Sequence, residues 1–485
     1  RSNMDNTRTE SFKEYKERII DPISPSFCAA KWHNATIWLG HGQTTSCHQP
    51  PMHDIPLEEV TNNHTAIHNT KHKKQMRKLM LNGERPAECG VCWKVEDSGK
   101  DRLSVRVIKT QMSEEEDVLK IPTQSWDHDS VLHTLEVSFD RACNFKCSYC
   151  NPAFSTAWVK DINDNGPYQN IQSDTRGHFI GTAPWAEKVA KDDKDNPYIQ
   201  AFWEWWEEPG GLVDTLYEIR VTGGEPIMHP GVWKLFDWFK NNPTKGRDMK
   251  FSINSNLVPE KEKTFEKLLE ITQYVPNFKI YTSCEAVGKQ ADYIRDGMKY
   301  DTWLSNISRL LDNPKVCEFH VMMTINSLCL DGITDFMDDM LALREIYGER
   351  APVLSLNMLA FPSFQSPDIL PDYMLTHYHD KLETWYEKKK DLLIDVEHLH
   401  VENLLHHLTQ CKSRYHNPDE LKKQYNDFKT FYTQYDERRG FDFRSTFDPM
   451  MVEWFDSLET QQPITAELGT DPATLERYNA EKKYG

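Results

Sequence analysis

The sequence predicts an α/β protein built on a parallel sheet, on three observations. Six short apolar runs recur after about residue 131: "TLEVSFD" (134–140), "LYEIRVTGG" (216–224), "MKFSINSN" (249–256), "FKIYTSC" (278–284), "CEFHVMMTIN" (317–326) and "VLSLNMLA" (353–360). Between the later runs lie stretches of helical period, "GVWKLFDWFKNN" (231–242), "EKEKTFEKLLEITQYV" (260–275) and "ITDFMDDMLALREIYG" (333–348). At 485 residues the chain is long enough to bury a large core. Strands alternating with helices imply parallel pairing. Six such strands suit an open sheet and also a barrel or partial barrel, where chemistry gathers at the C-terminal strand ends.

The flanks differ in texture. Residues 1–125 are rich in His, Pro and Cys and carry few long apolar stretches, so they need a metal or a neighbour to hold them together. Residues 126–365 hold the strands, with an insertion at 151–211 that includes a solvated loop, "KDDKDNP" (191–197), and an aromatic helix, "FWEWWEE" (202–208). Residues 366–485 read as a helical C-terminal extension, from "YMLTHYHDKLETWYEKKKDLL" onward.

Composition excludes some classes. Lys+Arg 57 against Asp+Glu 75 gives a formal charge of −18, which repels phosphate backbones and anionic lipid heads. Nucleic acid is therefore a poor partner, and the basic stretch "KHKKQMRK" (71–78) is short. No apolar run is long enough to span a bilayer, and a cytoplasmic location is the expectation. The eleven cysteines are too few for a disulfide scaffold in a chain this long and fall into groups. Cys284, Cys317, Cys329 and Cys411 are scattered and read as buried small hydrophobes.

"DRACNFKCSYC" (140–150) places Cys143, Cys147 and Cys150 on a loop after the first strand. Three thiolates leave a tetrahedral ion one ligand short, and no other Cys or His stands close by in sequence. A 4Fe-4S cluster fits: three irons take one cysteine each and the fourth iron stays open for a non-protein ligand. A structural zinc knuckle, or thiols that are simply buried, is the alternative at this point.

The run C-x3-C-x2-C, with Tyr149 before its last cysteine, resembles the radical S-adenosylmethionine (radical SAM) enzymes. The resemblance covers about residues 131–365 and implies a partial (β/α)6 TIM-like barrel. In that family the open iron chelates the amine and carboxylate of SAM. "VTGGEP" (221–226) matches the family's glycine–glycine–glutamate element, with Gly223 and Gly224 allowing close approach and Glu225 accepting from the SAM ammonium. "SCEAVGKQADYIRDG" (283–297) matches its Ser, acidic residue and Arg at Ser283, Glu285 and Arg295, which would meet the SAM carboxylate or ribose. Ser252 and Asn254 on the third strand would also face the ribose. For Arg295 alone, an ion pair at a surface helix start is the bland reading.

The N-terminal region carries C-x13-G-x4-C (28–47) and "CGVC" (89–92). This spacing resembles the auxiliary-cluster modules, SPASM and the shorter twitch, with Gly42 at the turn of a small hairpin. It implies a second 4Fe-4S cluster on Cys28, Cys47, Cys89 and Cys92. Here the module precedes the barrel, whereas in the family it follows. A four-thiolate zinc site fits the same spacing. His33, His41, His48 and His53 crowd the region and read as structural or substrate-facing, with His48 or His53 replacing one cysteine as a ligand the alternative, and Arg85, Trp93 and Arg102 either touch substrate or pack and pair.

The implied activity is reductive cleavage of SAM to a 5′-deoxyadenosyl radical that takes hydrogen from substrate. The implied partners are a one-electron donor of flavodoxin or ferredoxin type and a substrate that is a peptide, a protein or a small molecule. A non-catalytic iron–sulfur scaffold or sensor keeping the fold is the competing class.

Overall fold

Leu135 and Val137 are fully buried while Thr134 and Glu136 are half-exposed, the alternation of a strand packed on one face only. The same period marks the runs at 216–224 and 353–360, while that at 249–256 buries Phe251, Ser252 and Ile253 in succession, in the computed structural model of the chain, which describes residues 10–99, 102–174, 176–187, 195–410 and 417–463. In chain order the strands are β1 (Asn34–Trp38), β2 (Gln43–Thr45), β3 (His53–Asp54), β4 (Thr134–Ser138), β5 (Lys146–Cys147), β6 (Glu218–Thr222), β7 (Lys250–Asn254), β8 (Phe278–Ser283), β9 (Arg295–Asp296), β10 (Val316–Ile325) and β11 (Val353–Met358). The six predicted runs are β4, β6, β7, β8, β10 and β11, and they pair in parallel. They belong to one sheet of nine strands in the order β11-β10-β8-β7-β6-β4-β1-β2-β3. The chain is thus a mixed α/β protein with a parallel sheet.

Helices cover one face. Helix Pro230–Asn241 shows how the sequence makes one: the His229 side chain accepts from the Gly231 N–H, Pro230 opens the first turn, and Val232, Leu235, Phe236 and Phe239 form a single buried stripe. Burying each of those side chains stabilises by about 1.5–3 kcal/mol. Helices Glu262–Ile271, Tyr300–Leu311 and Ile333–Tyr347 bury similar stripes in the same core.

The N-terminal region is wired into this sheet. β1 pairs in parallel with β4, from Asn34 opposite Thr134 to Trp38 opposite Ser138. β2 returns antiparallel through a turn where Gly42 has φ +64°, and a Cβ there would come within 2.7 Å of the Tyr198 ring. The hairpin expected of Gly42 is present. A second, smaller core gathers Tyr15, Ile20, Phe27, Trp32, Met80 and Val107 around Cys28, Cys89 and Cys92.

Two sequence readings are corrected. "KHKKQMRK" lies in helix Lys71–Leu81, but it forms no surface patch as a unit, because Lys73 and Arg77 are fully buried. Lys73 Nζ donates to Thr44 Oγ1 (2.8 Å) and the Thr45 carbonyl (3.1 Å), and Arg77 donates to the Lys31 carbonyl and Asn69 Oδ1, both at 2.9 Å. Cys284 and Cys329 are buried as expected, whereas Cys317 is exposed, beside a register irregularity between Val316 and Glu318 that turns it outward. Cys411, residues 191–194 of the solvated loop, and the chain beyond 463 lie outside the described residues.

The aromatic helix of the insertion is Pro197–Glu207, burying Phe202, Trp205 and Trp206. The C-terminal extension is helical over Asp372–Lys389, Asp395–Gln410, Pro418–Arg439 and Pro449–Ser457, and its apolar residues join the main core. Among the described residues no helix is long and apolar enough to cross a membrane.

Candidate functional site

The loop after β4 is shaped by local hydrogen bonds. Cys143 N–H donates to Thr156 Oγ1 (3.1 Å), Phe145 N–H to Cys143 Sγ (3.4 Å), and Cys150 N–H to the Cys147 carbonyl (3.0 Å). Trp158 Nε1 caps the Cys147 carbonyl at 2.9 Å. All three thiols are half-buried and none is in a disulfide. Burial pushes the Cys147 thiol up to about 11 and the Cys150 thiol to about 12, and it pushes Cys143 upward with help from Glu225. Thiols so placed release their protons only to a cation.

The turn after β6 packs directly on this loop. Glu225 N–H donates to the Ala142 carbonyl at 2.6 Å. A Cβ at Gly224 would stand 2.4 Å from that same oxygen, so only glycine allows the approach. The partner of the glycine turn in this structure is the backbone of the cysteine loop. Glu225 is buried, and its carboxylate accepts from Ser255 Oγ (2.7 Å), Asn256 N–H (2.6 Å) and Ile227 N–H (3.4 Å). Burial still raises its pKa to about 7. Asn256 Nδ2 in turn donates to Asn144 Oδ1 (2.8 Å), one residue from Cys143.

The segment after β8 closes the other side. Cys147 and Arg295 are backbone partners in the β5–β9 pair. Arg295 donates through Nε (3.0 Å) and Nη2 (2.9 Å) to Glu285 Oε2, while the Tyr149 hydroxyl donates to Glu285 Oε1 (3.1 Å) and its ring lies under the guanidinium. Burial pushes the Glu285 carboxyl up, and Arg295 and Tyr149 oppose that. Arg295 is thus a buried ion-pair partner beyond the end of helix Gly288–Ile294, unlike the surface helix-start pair of the bland reading.

The face of the sheet away from the helices is polar. One cross-strand row runs Thr36, Glu136, Arg220, Ser252, Lys279, Glu318, and the next holds Asn254, Tyr281, His320. Asn254 Oδ1, at the strand end nearest Glu225, is buried without a hydrogen-bond partner. Ser283 is half-buried one pleat further along, while Ser252 is fully buried with its hydroxyl on the Ile219 carbonyl (3.4 Å). Arg220 lies over the Tyr281 ring at 4.2 Å, and Tyr281 stacks on His320.

Cys28, Cys47, Cys89 and Cys92 line one small cavity, with Lys31, Arg106 and Lys109 in its wall. Burial pushes the Cys28 thiol to about 11 and the Cys89 thiol to about 12. Lys31 pairs with Glu88, and Arg106 with Glu96 at 2.6 Å. The charge of Lys109 acts on Cys47 and His48 and also on Glu136, so the cavity borders the polar face of the sheet. Among the described residues, the only three or more Cys, His, Asp or Glu with ligand atoms mutually within 4.8 Å are His379, Asp380 and Glu383 at the surface. Neither thiol set is gathered around a single tetrahedral ion, whose sulfurs would stand about 3.8 Å apart at a zinc–sulfur bond of about 2.3 Å.

The histidines of this region are occupied elsewhere. His53 Nε2 bonds Thr70 Oγ1 (3.1 Å), His41 Nε2 the Ala153 carbonyl (3.1 Å), and His33 stacks on His133, while His48 is exposed. Arg85 pairs with Asp97 and covers the Trp93 ring. Arg102 is exposed.

Sequence reasoning missed several residues that shape the site. Ser255 and Asn256 hold Glu225. Arg439, from helix Pro418–Arg439, donates to the Lys146 carbonyl (2.6 Å) and pairs with Asp161 (3.3 Å) between the rings of Trp158 and Tyr435. Gln365 donates through Nε2 to the Ser148 carbonyl (2.9 Å) and accepts at Oε1 from the Ser148 hydroxyl (3.2 Å). The C-terminal extension therefore forms the back wall of the cysteine loop.

Among solved structures, the chain is similar to native anSMEcpe with bound AdoMet at 13% identity and TM-score 0.30, over 53% of this chain and 60% of that one. It is similar to Streptococcus suis SuiB bound to S-adenosylmethionine at 12% identity and TM-score 0.30, over 73% of this chain and 70% of that one. For SuiB bound to the precursor peptide SuiA the values are 10% and 0.31, over 74% and 70%. The chain thus spans less than two thirds of the first of these. No family model and no curated protein matches the sequence.

Proposed function

We propose that the chain is a radical SAM enzyme, with Cys143, Cys147 and Cys150 holding a 4Fe-4S cluster that keeps one iron open for SAM. One observation carries this reading: the ends of β4, β6, β7 and β8 converge, bringing three half-buried thiols, a glycine-cradled carboxylate and a buried Arg–Glu–Tyr network onto one loop. The residues fit the group. The thiols need a cation to ionise, Glu225 is a buried carboxyl that an incoming ammonium would charge, and the orphaned Asn254 Oδ1 offers an acceptor for a ribose hydroxyl.

When bound, the cluster and SAM supply the one-electron cleavage of the sulfonium carbon–sulfur bond that yields a hydrogen-abstracting 5′-deoxyadenosyl radical. The chain's own residues do the rest. Glu225 accepts from the ammonium, with Ser255 and Asn256 fixing its rotamer. Arg295 keeps Glu285 and Tyr149 in place behind Cys147 and would meet the SAM carboxylate, and Asn254 and Ser283 would face the ribose, with Ser252 supporting the strand beneath. Substrate lies against the polar sheet face, between the two thiol sets, where Glu136 and Arg220 present opposite charges. Such a face suits a polar substrate, a peptide or a charged metabolite, over an apolar one.

The domain reading follows: residues 1–125 form a twitch-like module whose four cysteines hold a second 4Fe-4S cluster, 126–365 the partial barrel, and 366–485 the helical extension. The spread of the four thiols, wider than a single tetrahedral ion needs, supports a cluster over zinc. Anaerobic reconstitution with iron and sulfide is expected to give brown protein with about eight irons per chain, or about four with zinc at the N-terminal site. Dithionite and SAM should then release 5′-deoxyadenosine, and Cys147→Ala should abolish it with loss of about four irons. Colourless protein, or brown protein that never cleaves SAM, overturns the proposal.

A further inference from the structure

Beyond the site, a surface groove runs between helix Pro230–Asn241 and helix Glu262–Ile271. Two adjoining concavities share Met228, Trp233 and Lys267 and so form one continuous trough. Its walls carry Lys234, Lys261, Lys263 and Lys267 against Asp237 and Glu260, twice as many cations as anions on a chain of formal charge −18. Met228 at its centre is 40% exposed, and Trp233 and Trp238 are half-buried, giving an apolar floor with a charged rim. Two of the lysines are ordered, Lys267 over the Trp233 ring at 4.4 Å and Lys234 over Trp203 at 4.1 Å.

The groove also leads inward. Ile227, at its inner end, donates its N–H to Glu225. Pro259, in its wall, follows Val258, whose carbonyl accepts from Asn144 Nδ2 at 2.8 Å, and Asn144 adjoins Cys143. One hydrogen bond and a few covalent bonds separate the trough from the three-cysteine loop.

We propose that this groove is the docking surface for the small acidic one-electron carrier that reduces the three-cysteine centre. The inference rests on the function proposed above. Local positive charge on an otherwise acidic chain steers an acidic partner to this groove. On docking, the carrier is oxidised by one electron and the centre is reduced by one.

The test uses a bacterial flavodoxin and the full-length chain. Reduced flavodoxin is mixed with reconstituted protein and the cluster absorbance followed by stopped flow, with dithionite as the small reductant. Joint reversal of Lys234, Lys261, Lys263 and Lys267 to Glu is expected to slow the flavodoxin reaction about tenfold or more at low salt. The gap should close near 1 M salt, where the Debye length is about 3 Å. Dithionite reduction, iron content and the thermal melt should stay as in wild type. Reversal of Lys388, Lys389 and Lys390, on a distant helix, should leave the flavodoxin rate unchanged. Equal rates for the groove variant and wild type overturn the proposal, as does a wild-type dimer in sedimentation that the variant loses, which would assign the groove to a second copy.

Binding of oxidised flavodoxin by calorimetry needs no cluster. Binding that the groove variant loses supports docking even if the iron reading fails, and unchanged binding overturns docking even if that reading stands.

Discussion

Glu225 concentrates the physics of the site in one side chain. Its carboxyl has three hydrogen-bond donors and still titrates near 7, because desolvation outweighs them. In the unfolded chain it titrates near the ordinary 4.5. Between those two values the folded state binds more protons than the unfolded one, so this group's contribution to stability falls as pH rises through that window, by up to about 3 kcal/mol. Urea denaturation of metal-free protein at about pH 5 and about pH 8 is expected to show this slope in wild type and to lose it in Glu225→Gln; equal slopes would mean an unshifted carboxyl. The residues around Glu225 were unevenly legible. The cysteines and the Gly–Gly–Glu turn are readable because their chemistry demands that spacing. Ser255 and Asn256 are not, since polar residues after a strand look alike whether they hold a carboxylate or face water. Cys317 misled for a related reason: hydrophobic character predicts burial, and a local register irregularity overrode it.

Among the elements, the six parallel strands were plain as short apolar runs and their covering helices from period, because the strands bury their apolar residues and each helix one stripe. The role of helix Pro418–Arg439 was invisible, as Arg439 and the Lys146 carbonyl it holds are 293 residues apart. Removing that guanidinium leaves Asp161, 1% exposed, without its nearer cation; Arg438 stands 3.9 Å away. Breaking such a buried pair costs about 3–5 kcal/mol. Arg439→Ala is therefore expected to lower the denaturation midpoint and to speed loss of iron from the three-cysteine site on dilution, with Arg439→Lys intermediate. An alanine variant with wild-type iron retention would show that the loop stands without the helix.

Across the whole molecule, the Cys-rich region was expected to lean on a metal or a neighbour, and the structure supplies the neighbour: β1 continues the parallel sheet beyond β4. A chain beginning at residue 126 would expose the hydrogen-bonding edge of β4, a template for pairing with other chains. Such a chain is expected to elute as aggregate in size-exclusion chromatography, and a soluble monomer would show that the first 125 residues are dispensable for folding.

The burial of Lys73 and Arg77 bears on the order of events in the cell. Beside Lys31 they confine like charges in a dry interior, and burial with mutual repulsion drags the Lys73 amine well below its usual range while Glu88 and Cys47 pull it back. An anionic centre on the adjoining thiols would act as the keystone of this arch. Nascent chains awaiting iron and sulfide would then carry a strained N-terminal quarter, exposed to proteases until maturation sets it.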